Sequence, residues 1–128
     1  MNTVIVCLFI AALLPYVSKA PLAYAMHQLG GYDNNNPREQ QAKLEGFGAR
    51  TLAAHQNSFE ALLIFAVAAI TAIASNNVTS MTENLAITFI IARVAYHVLY
   101  LFDLATLRSL VWFVGLLSSL SILWSCIG

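Results

Sequence analysis

The chain has 128 residues, of which 59% are hydrophobic and only 9% are charged, and its mean hydropathy is +0.73. Soluble domains carry about 25% charged residues, so this composition excludes a protein that faces water over its whole surface. The formal net charge is zero and no basic stripe is present, which excludes nucleic acid as a partner. The length fits a single small domain over residues 1–128.

Four apolar runs are long enough to cross a bilayer, since a spanning helix needs about 20 residues. They cover about residues 3–19, 52–74, 85–102 and 107–127. The first run resembles a signal peptide because it ends in Ser18-Lys19-Ala20, but no basic segment precedes it. We therefore interpret it as an uncleaved helix that Pro15 can kink. The sequence predicts an all-α integral membrane protein with a bundle of four transmembrane helices.

The connections between the spans predict the orientation of the bundle. Residues 20–51 form a long polar loop in which Gly30-Gly31 and the Asn34–Asn36 run break helices. The last connection is tight, so the third and fourth spans are expected to be antiparallel neighbours. Five basic residues lie in or beside the first and third connections, and none lies in the second: Lys19, Arg38, Lys43, Arg50 and Arg108. The positive-inside rule therefore places the loop 20–51 in the cytoplasm and both termini on the non-cytoplasmic side.

Polar residues of the second and third spans fall at one depth below the cytoplasmic surface. At about 1.5 Å per residue, Asn57 is about 8 Å deep, Glu60 about 12 Å and Arg93 about 13 Å. Glu60 and Arg93 have matched depth and opposite charge, so we predict an intramembrane ion pair between them. Arg50 shares the side of Asn57 and Glu60, because the spacings are seven and three residues.

The same reasoning extends the polar cluster to the third and fourth spans. Tyr96 follows Arg93 by three residues and Tyr100 follows Tyr96 by four, and Arg108 begins the fourth span. Together with Asn57 and Glu60 they predict a polar pocket open to the cytoplasm. Arginine forks bind carboxylates, Asn and Glu bind amide and amine groups, and Tyr or Arg favours a thiolate. A small zwitterionic peptide thiol matches those chemistries.

Each of these residues also has a structural interpretation. Glu60 and Arg93 can simply hold two helices together, Tyr100 can belong to an interfacial aromatic belt, and His55 can mark the beginning of a helix. No metal site is expected, because His27, His55 and His97 have no ligand spacing.

Two stretches resemble the signatures of one family, the membrane-associated proteins in eicosanoid and glutathione metabolism (MAPEG). Residues 50–60 are similar to its R-x-x-x-A-H-x-N-x-x-E signature, and residues 92–100 to its R-x-x-[YH]-x-x-x-Y signature. The resemblance extends over essentially the whole chain. The short loops are more similar to those of bacterial members, which implies a multi-pass protein of the bacterial inner membrane.

The resemblance implies a homotrimer that binds glutathione as a co-substrate between subunits and acts on lipophilic electrophiles or lipid hydroperoxides. It implies that Asn57, Glu60, Tyr96 and Tyr100 contact glutathione, and that Arg93 supports the site through Glu60. Arg108 is similar to a fourth-helix arginine that stabilises the thiolate, which makes it the catalytic candidate. The further glutathione-binding candidates are Arg50, and His55, whose position can face the neighbouring subunit.

The chain also departs from the pattern of the eicosanoid-forming members. Ala53 and Gln56 stand where those members have arginines that bind the carboxylates of glutathione. The resemblance then shifts that task to Arg50 and Arg38, or to a neighbouring subunit. These departures favour a second hypothesis, a non-catalytic binding or scaffold protein of the same fold with a lost or changed thiol ligand. A small transporter or channel is the third, although the charges cluster in one leaflet rather than lining a path.

Overall fold

The computed structural model describes residues 1–128 and contains helices and loops but no strands. The helices are α1 (Asn2–Val17), α2 (Lys19–His27), α3 (Pro37–Gln41), α4 (Phe47–Ala74), α5 (Ser80–Leu101) and α6 (Ala105–Trp124). Four stretches are long and apolar enough to span a membrane, namely Asn2–His27, Phe47–Ala74, Ser80–Leu101 and Ala105–Trp124. Large apolar side chains cover the outer surface, as Phe9, Leu63 and Ile91 show. The predicted four-helix membrane architecture is confirmed, and the chain is a multi-pass integral membrane protein.

The first helical stretch is longer than the sequence predicted. α2 follows α1 after Ser18 alone and ends at His27, so the connection to α4 begins near residue 28 rather than residue 20. Pro21 lies in the first turn of α2, where its missing N–H costs no hydrogen bond. Leu22, Ala25 and Met26 recur at helical spacing and are buried, and α2 packs against α4. Burial of this stripe explains the extension.

The loop between α2 and α4 has a defined structure of its own. The amide of Gln40 donates to the Gly31 carbonyl at 2.7 Å and accepts from the Asp33 backbone at 3.0 Å. The Asp33 carboxylate accepts from the backbone of Asn35 and Asn36. Gly30 and Gly31 have φ of +90° and +109°, so the chain can reverse directly after α2. These contacts hold the loop over one end of the bundle.

The packing places α1, α4, α6 and α5 around the bundle, with α4 and α5 also in contact. α5 and α6 form the largest helix–helix contact, which confirms that the third and fourth spans are neighbours. The core lies in the half away from the long loop, where the rings of Phe65 and Phe89 stack with centroids 4.1 Å apart. Buried alanines around them, such as Ala68 and Ala86, let the helices approach closely. The loop-side half contains the polar side chains.

Candidate functional site

A cavity of about 90 Å³ lies between α4, α5 and α6. α4 contributes Asn57 and Glu60 to its wall, and α5 contributes Phe89 and Arg93. Three residues of α6 that sequence reasoning missed also line the cavity: Trp112, Gly115 and Ser119. Their spacings of three and four residues put them on one face of α6, which is the signal that could have found them.

Arg93 is the buried charge of this cavity. Its side chain is only 2% exposed, and its guanidinium lies over the Tyr96 ring, 4.1 Å from the centroid. A Cβ atom added at Gly115 would lie 3.7 Å from Cδ of Arg93. The glycine therefore leaves room for the arginine stem to pass α6. Contact with an aromatic face stabilises a guanidinium that water cannot reach.

The predicted ion pair between Glu60 and Arg93 is wrong. The only salt bridge joins the Met1 ammonium to Glu83, at 2.9 Å, and Nη2 of Arg93 has no hydrogen-bond partner. The guanidinium lies against Tyr96, one turn nearer the end of α5, whereas Glu60 is exposed on the surface of α4. Matched depth put both charges on one cavity but did not bring them into contact.

A row of two tyrosine rings and a second cation leads away from Arg93. The ring of Tyr96 meets that of Tyr100 edge-on, with centroids 5.5 Å apart, and the guanidinium of Arg108 lies 4.3 Å from the Tyr100 centroid. We call Arg93, Tyr96, Tyr100 and Arg108 the cation–aromatic row. Its outer half borders an open cavity of about 300 Å³. Trp112 lines both cavities, which are therefore neighbours.

Three polar atoms of the first cavity have no partner within the chain. They are Oδ1 of Asn57, Nη2 of Arg93 and Oγ of Ser119, and all three are buried. Such groups are costly in a membrane, where lipid offers no hydrogen bonds. The volume is sufficient for about three water molecules. The cavity is therefore suited to polar contents, whether water or the polar group of a ligand.

Comparison with known proteins identifies the family. The model of the MAPEG family matches residues 3–128, which is nearly the entire sequence. The chain belongs to the MAPEG family. Membership supports a membrane glutathione-related transferase or peroxidase kind of function at the level of the family. Neither the curated proteins nor the solved structures gave a match.

His55 belongs to the MAPEG-like stretch of α4 but faces away from Asn57 and Glu60. Two residues along a helix turn the side chain by about 200°, so His55 and Asn57 point in different directions. Nδ1 of His55 lies 3.1 Å from Oγ of Ser18, whose hydroxyl donates to the Pro15 carbonyl at 2.8 Å. The residue lines a third cavity of about 330 Å³ under the long loop, together with Lys19, Tyr32, Arg38 and Gln56.

Arg50, the first residue of the same MAPEG-like stretch, also lies apart from the first cavity. Its Nη2 approaches the Leu101 carbonyl at 3.5 Å, and its Nε is buried without a partner. The seven-residue spacing does place it on the side of Asn57, but about 10 Å further along the helix. At that level α5 is ending, and the arginine meets the last carbonyls of α5, where a cation is favoured.

The described chain contains no group of three or more His, Cys, Asp or Glu residues that could hold a metal ion. The candidate MAPEG site therefore consists of Asn57 and Glu60, the cation–aromatic row, and the α6 face. His55 and Arg50 lie outside it within one chain.

The space at Gly115 can be tested by filling it in two steps. Gly115→Ala should stabilise the protein by about 1 kcal/mol, because alanine favours a helix interior and the added Cβ makes only ordinary contacts. Gly115→Leu should instead lower stability by about 1–3 kcal/mol, since overpacking displaces the stem of Arg93. Thermal unfolding in detergent measures both. Equal melting temperatures for the two variants would show that Arg93 does not depend on this gap.

Proposed function

We propose that the chain is a membrane-bound, glutathione-dependent transferase or peroxidase that acts on lipophilic electrophiles or lipid hydroperoxides. The observation that carries the proposal is the cavity of a MAPEG chain where Asn57 and Arg93 present buried, unpaired polar atoms beside the carboxylate of Glu60. That cavity adjoins a row of two cations and two tyrosines. Apolar helices surround both, so a lipophilic substrate could enter from the bilayer.

In this proposal the residues divide the recognition of the tripeptide among them. The carboxylate of Glu60 holds an amine, and the guanidinium of Arg93 and the amide of Asn57 hold carboxylate or amide oxygens. Tyr96 and Tyr100 offer hydroxyl donors along the row. Glutathione supplies the nucleophilic sulfur. Arg108 places a positive charge at the outer end of the row, where it favours the thiolate over the thiol.

We further propose a homotrimer in which the site lies between subunits. A cavity of about 90 Å³ is too small for a tripeptide, since ligand pockets have volumes of about 300–1,000 Å³, and Glu60 is exposed in the single chain. A neighbouring copy could complete the site with its cavity of about 330 Å³, which carries Lys19, Arg38 and His55. The cations Lys19 and Arg38 would compensate for the uncharged Ala53 and Gln56 in recognising carboxylates.

The first prediction separates thiol binding from turnover. Glu60→Gln should weaken glutathione binding at least tenfold, because a hydrogen bond between charged groups contributes about 1.5–3 kcal/mol. Arg108→Ala should reduce turnover with a model electrophile by about 10²–10³-fold while weakening binding much less, since its charge acts on the reacting sulfur. Calorimetry on protein in detergent measures binding, and a coupled spectrophotometric assay measures turnover.

Two variants serve as controls for this experiment. Glu83→Gln removes a carboxylate from the first turn of α5, at the other end of the bundle, and should bind glutathione like the wild type. Arg108→Lys keeps the positive charge and should retain most of the turnover. Unchanged turnover in Arg108→Ala would remove this residue from the mechanism. Absence of glutathione binding by folded wild-type protein would contradict the proposed co-substrate.

The second prediction tests whether neighbouring subunits share the site. Glu60→Gln and the double variant Lys19→Ala/Arg38→Ala should each have low activity alone, because each removes one half of the site. Co-expression with two different affinity tags yields mixed trimers, which should regain activity since some of their sites combine two intact halves. Mixing the separately purified variants without subunit exchange is the control. Mixed trimers without recovery would place both halves in one chain.

The third prediction concerns the orientation, which we propose to have the long loop in the cytoplasm of a bacterial cell, at its inner membrane. In a variant with Cys7 and Cys126 replaced by alanine, Ser80→Cys should react with a membrane-impermeant maleimide in intact cells. Asn35→Cys should react only after lysis, because its loop then faces the cytoplasm. Detergent-solubilised protein, in which both sites react, is the control. The reverse pattern would invert the topology.

One observation favours a second candidate function, a non-catalytic binding or scaffold protein of this fold. Arg50 contacts the end of α5 instead of the first cavity, and positions 53 and 56 carry no charge. A single chain thus offers few cations to the two carboxylates of glutathione. The turnover assay of Arg108→Ala distinguishes the two candidates, since a scaffold would show no turnover that depends on Arg108.

A further inference from the structure

A fourth cavity, of about 340 Å³, lies on the side of the bundle where α1 faces α5. α1 contributes Leu14 and Val17 to its wall, α4 contributes Ala54, and α5 contributes Val94, Val98 and Leu101. None of its lining residues lines the three cavities described above. It is therefore a separate feature of the chain, with no part in the proposed glutathione site.

The wall of this cavity is almost entirely apolar. Its two hydroxyl groups are occupied elsewhere, because Thr51 donates to the Gly48 carbonyl at 2.7 Å and Ser18 donates to the Pro15 carbonyl. His97 contributes its ring, and Nε2 of that ring is the one side-chain polar atom of the wall that is buried without a hydrogen-bond partner. A volume of about 340 Å³ falls within the range of small-molecule sites. Such a wall favours a hydrocarbon chain.

The positive charge of Arg50 lies next to residues of the wall, although Arg50 itself does not line the cavity. Leu101, the last residue of α5, belongs to the wall, and its carbonyl is 3.5 Å from Nη2 of Arg50. Nε of Arg50 is buried and has no partner, so the guanidinium retains an unused donor in a place that costs free energy. Arg50 directly precedes Thr51, which lines the same cavity.

We propose that this cavity binds a long-chain fatty acid from the bilayer, with the acyl chain between α1 and α5 and the carboxylate on Arg50. The apolar wall accounts for the chain, and the planar guanidinium with its free donor accounts for a carboxylate. A volume of about 340 Å³ suits one acyl chain rather than two, which favours a fatty acid over a lipid with two acyl chains. The site is independent of the proposed enzyme activity and does not rest on it.

The test uses a palmitic acid analogue that carries a photoreactive diazirine in the chain and an alkyne for detection. The full-length protein in lipid nanodiscs is irradiated with the probe, and labelled peptides are mapped by mass spectrometry. Labelling should fall on the peptides that contain Leu14 or residues 94–101, and unlabelled palmitic acid should compete for it. The methyl ester of the probe, which lacks the charge, should label these peptides about tenfold less, because a charge-assisted hydrogen bond contributes about that factor.

Paired variants keep the result specific to the cavity. Arg50→Gln should reduce labelling about tenfold for the same reason as the ester, whereas Lys43→Gln, in the exposed loop, should not. Val98→Trp should block the cavity, whereas Val67→Trp should have no effect. Val98 and Val67 are both 48% exposed, but only Val98 lines this cavity. Correct folding of each variant is checked by its melting temperature.

Three outcomes would overturn the proposal. Equal labelling by the acid and the ester would indicate ordinary contact with bulk lipid. Labelling that survives both Arg50→Gln and Val98→Trp would place the probe elsewhere. Absence of fatty acid labelling, together with disulfide cross-links between copies that carry Val94→Cys or Val98→Cys, would mean that a neighbouring subunit covers this face. Glutathione turnover enters none of these measurements, so failure here leaves the proposed function untouched.

Discussion

One guanidinium inside a bundle of apolar helices constrains the rest of the loop-side half of this protein. A cation at mid-bilayer depth costs several kcal/mol unless protein groups accommodate it, and Arg93 is only 2% exposed. α6 opposes it with Gly115, and α5 supplies the face of Tyr96 one turn away. The choice of a glycine and a tyrosine at these positions follows from where that charge lies. The same accommodation leaves a small polar cavity in an otherwise apolar interior.

The two halves of the bundle follow different packing rules. Away from the loop, alanines and one pair of stacked phenylalanines fill the space between helices, and no ionised side chain is buried there. Near the loop, long polar side chains enter the space between helices, and cavities lie on several sides of the bundle. Close packing in one half can hold the helices in register while the other half remains open to ligands. This division explains how a chain of 128 residues can contain both a closely packed core and several cavities.

The sequence predicted the architecture well because apolar length is a strong signal. It placed four spans, the neighbouring third and fourth helices, and Asn57, Glu60 and Arg93 on one cavity. It failed where the length and direction of a side chain decide the contact. The depths of Arg93 and Glu60 in the membrane could not show that the side chain of Arg93 turns toward Tyr96 rather than toward Glu60.

Two further differences between expectation and structure have the same physical origin. Helical periodicity grouped Arg50 with Asn57, although two turns of helix separate them and a different neighbour is present at each level. The end of the first helical stretch was placed too early, because Pro21 and Lys19 look like the start of a loop in isolation. Only the buried stripe of α2 against α4 shows that the helix continues. Tertiary contacts, not local preference, decided both.

The unequal lengths of the spans have a consequence for how two unlike substrates could reach one place. The first stretch has 26 residues and α4 has 28, whereas α5 has 22 and α6 has 20. At about 1.5 Å per residue the first two are about 40 Å long, and the hydrocarbon layer is only about 30 Å thick. The longer pair is therefore long enough to project beyond the shorter pair, which would form a step at the membrane surface. At the foot of such a step, the ends of α5 and α6 border water on one side and acyl chains on the other. The proposed peptide thiol, from water, and the proposed lipophilic substrate, from the bilayer, could thus both approach Arg108 without leaving their own solvents.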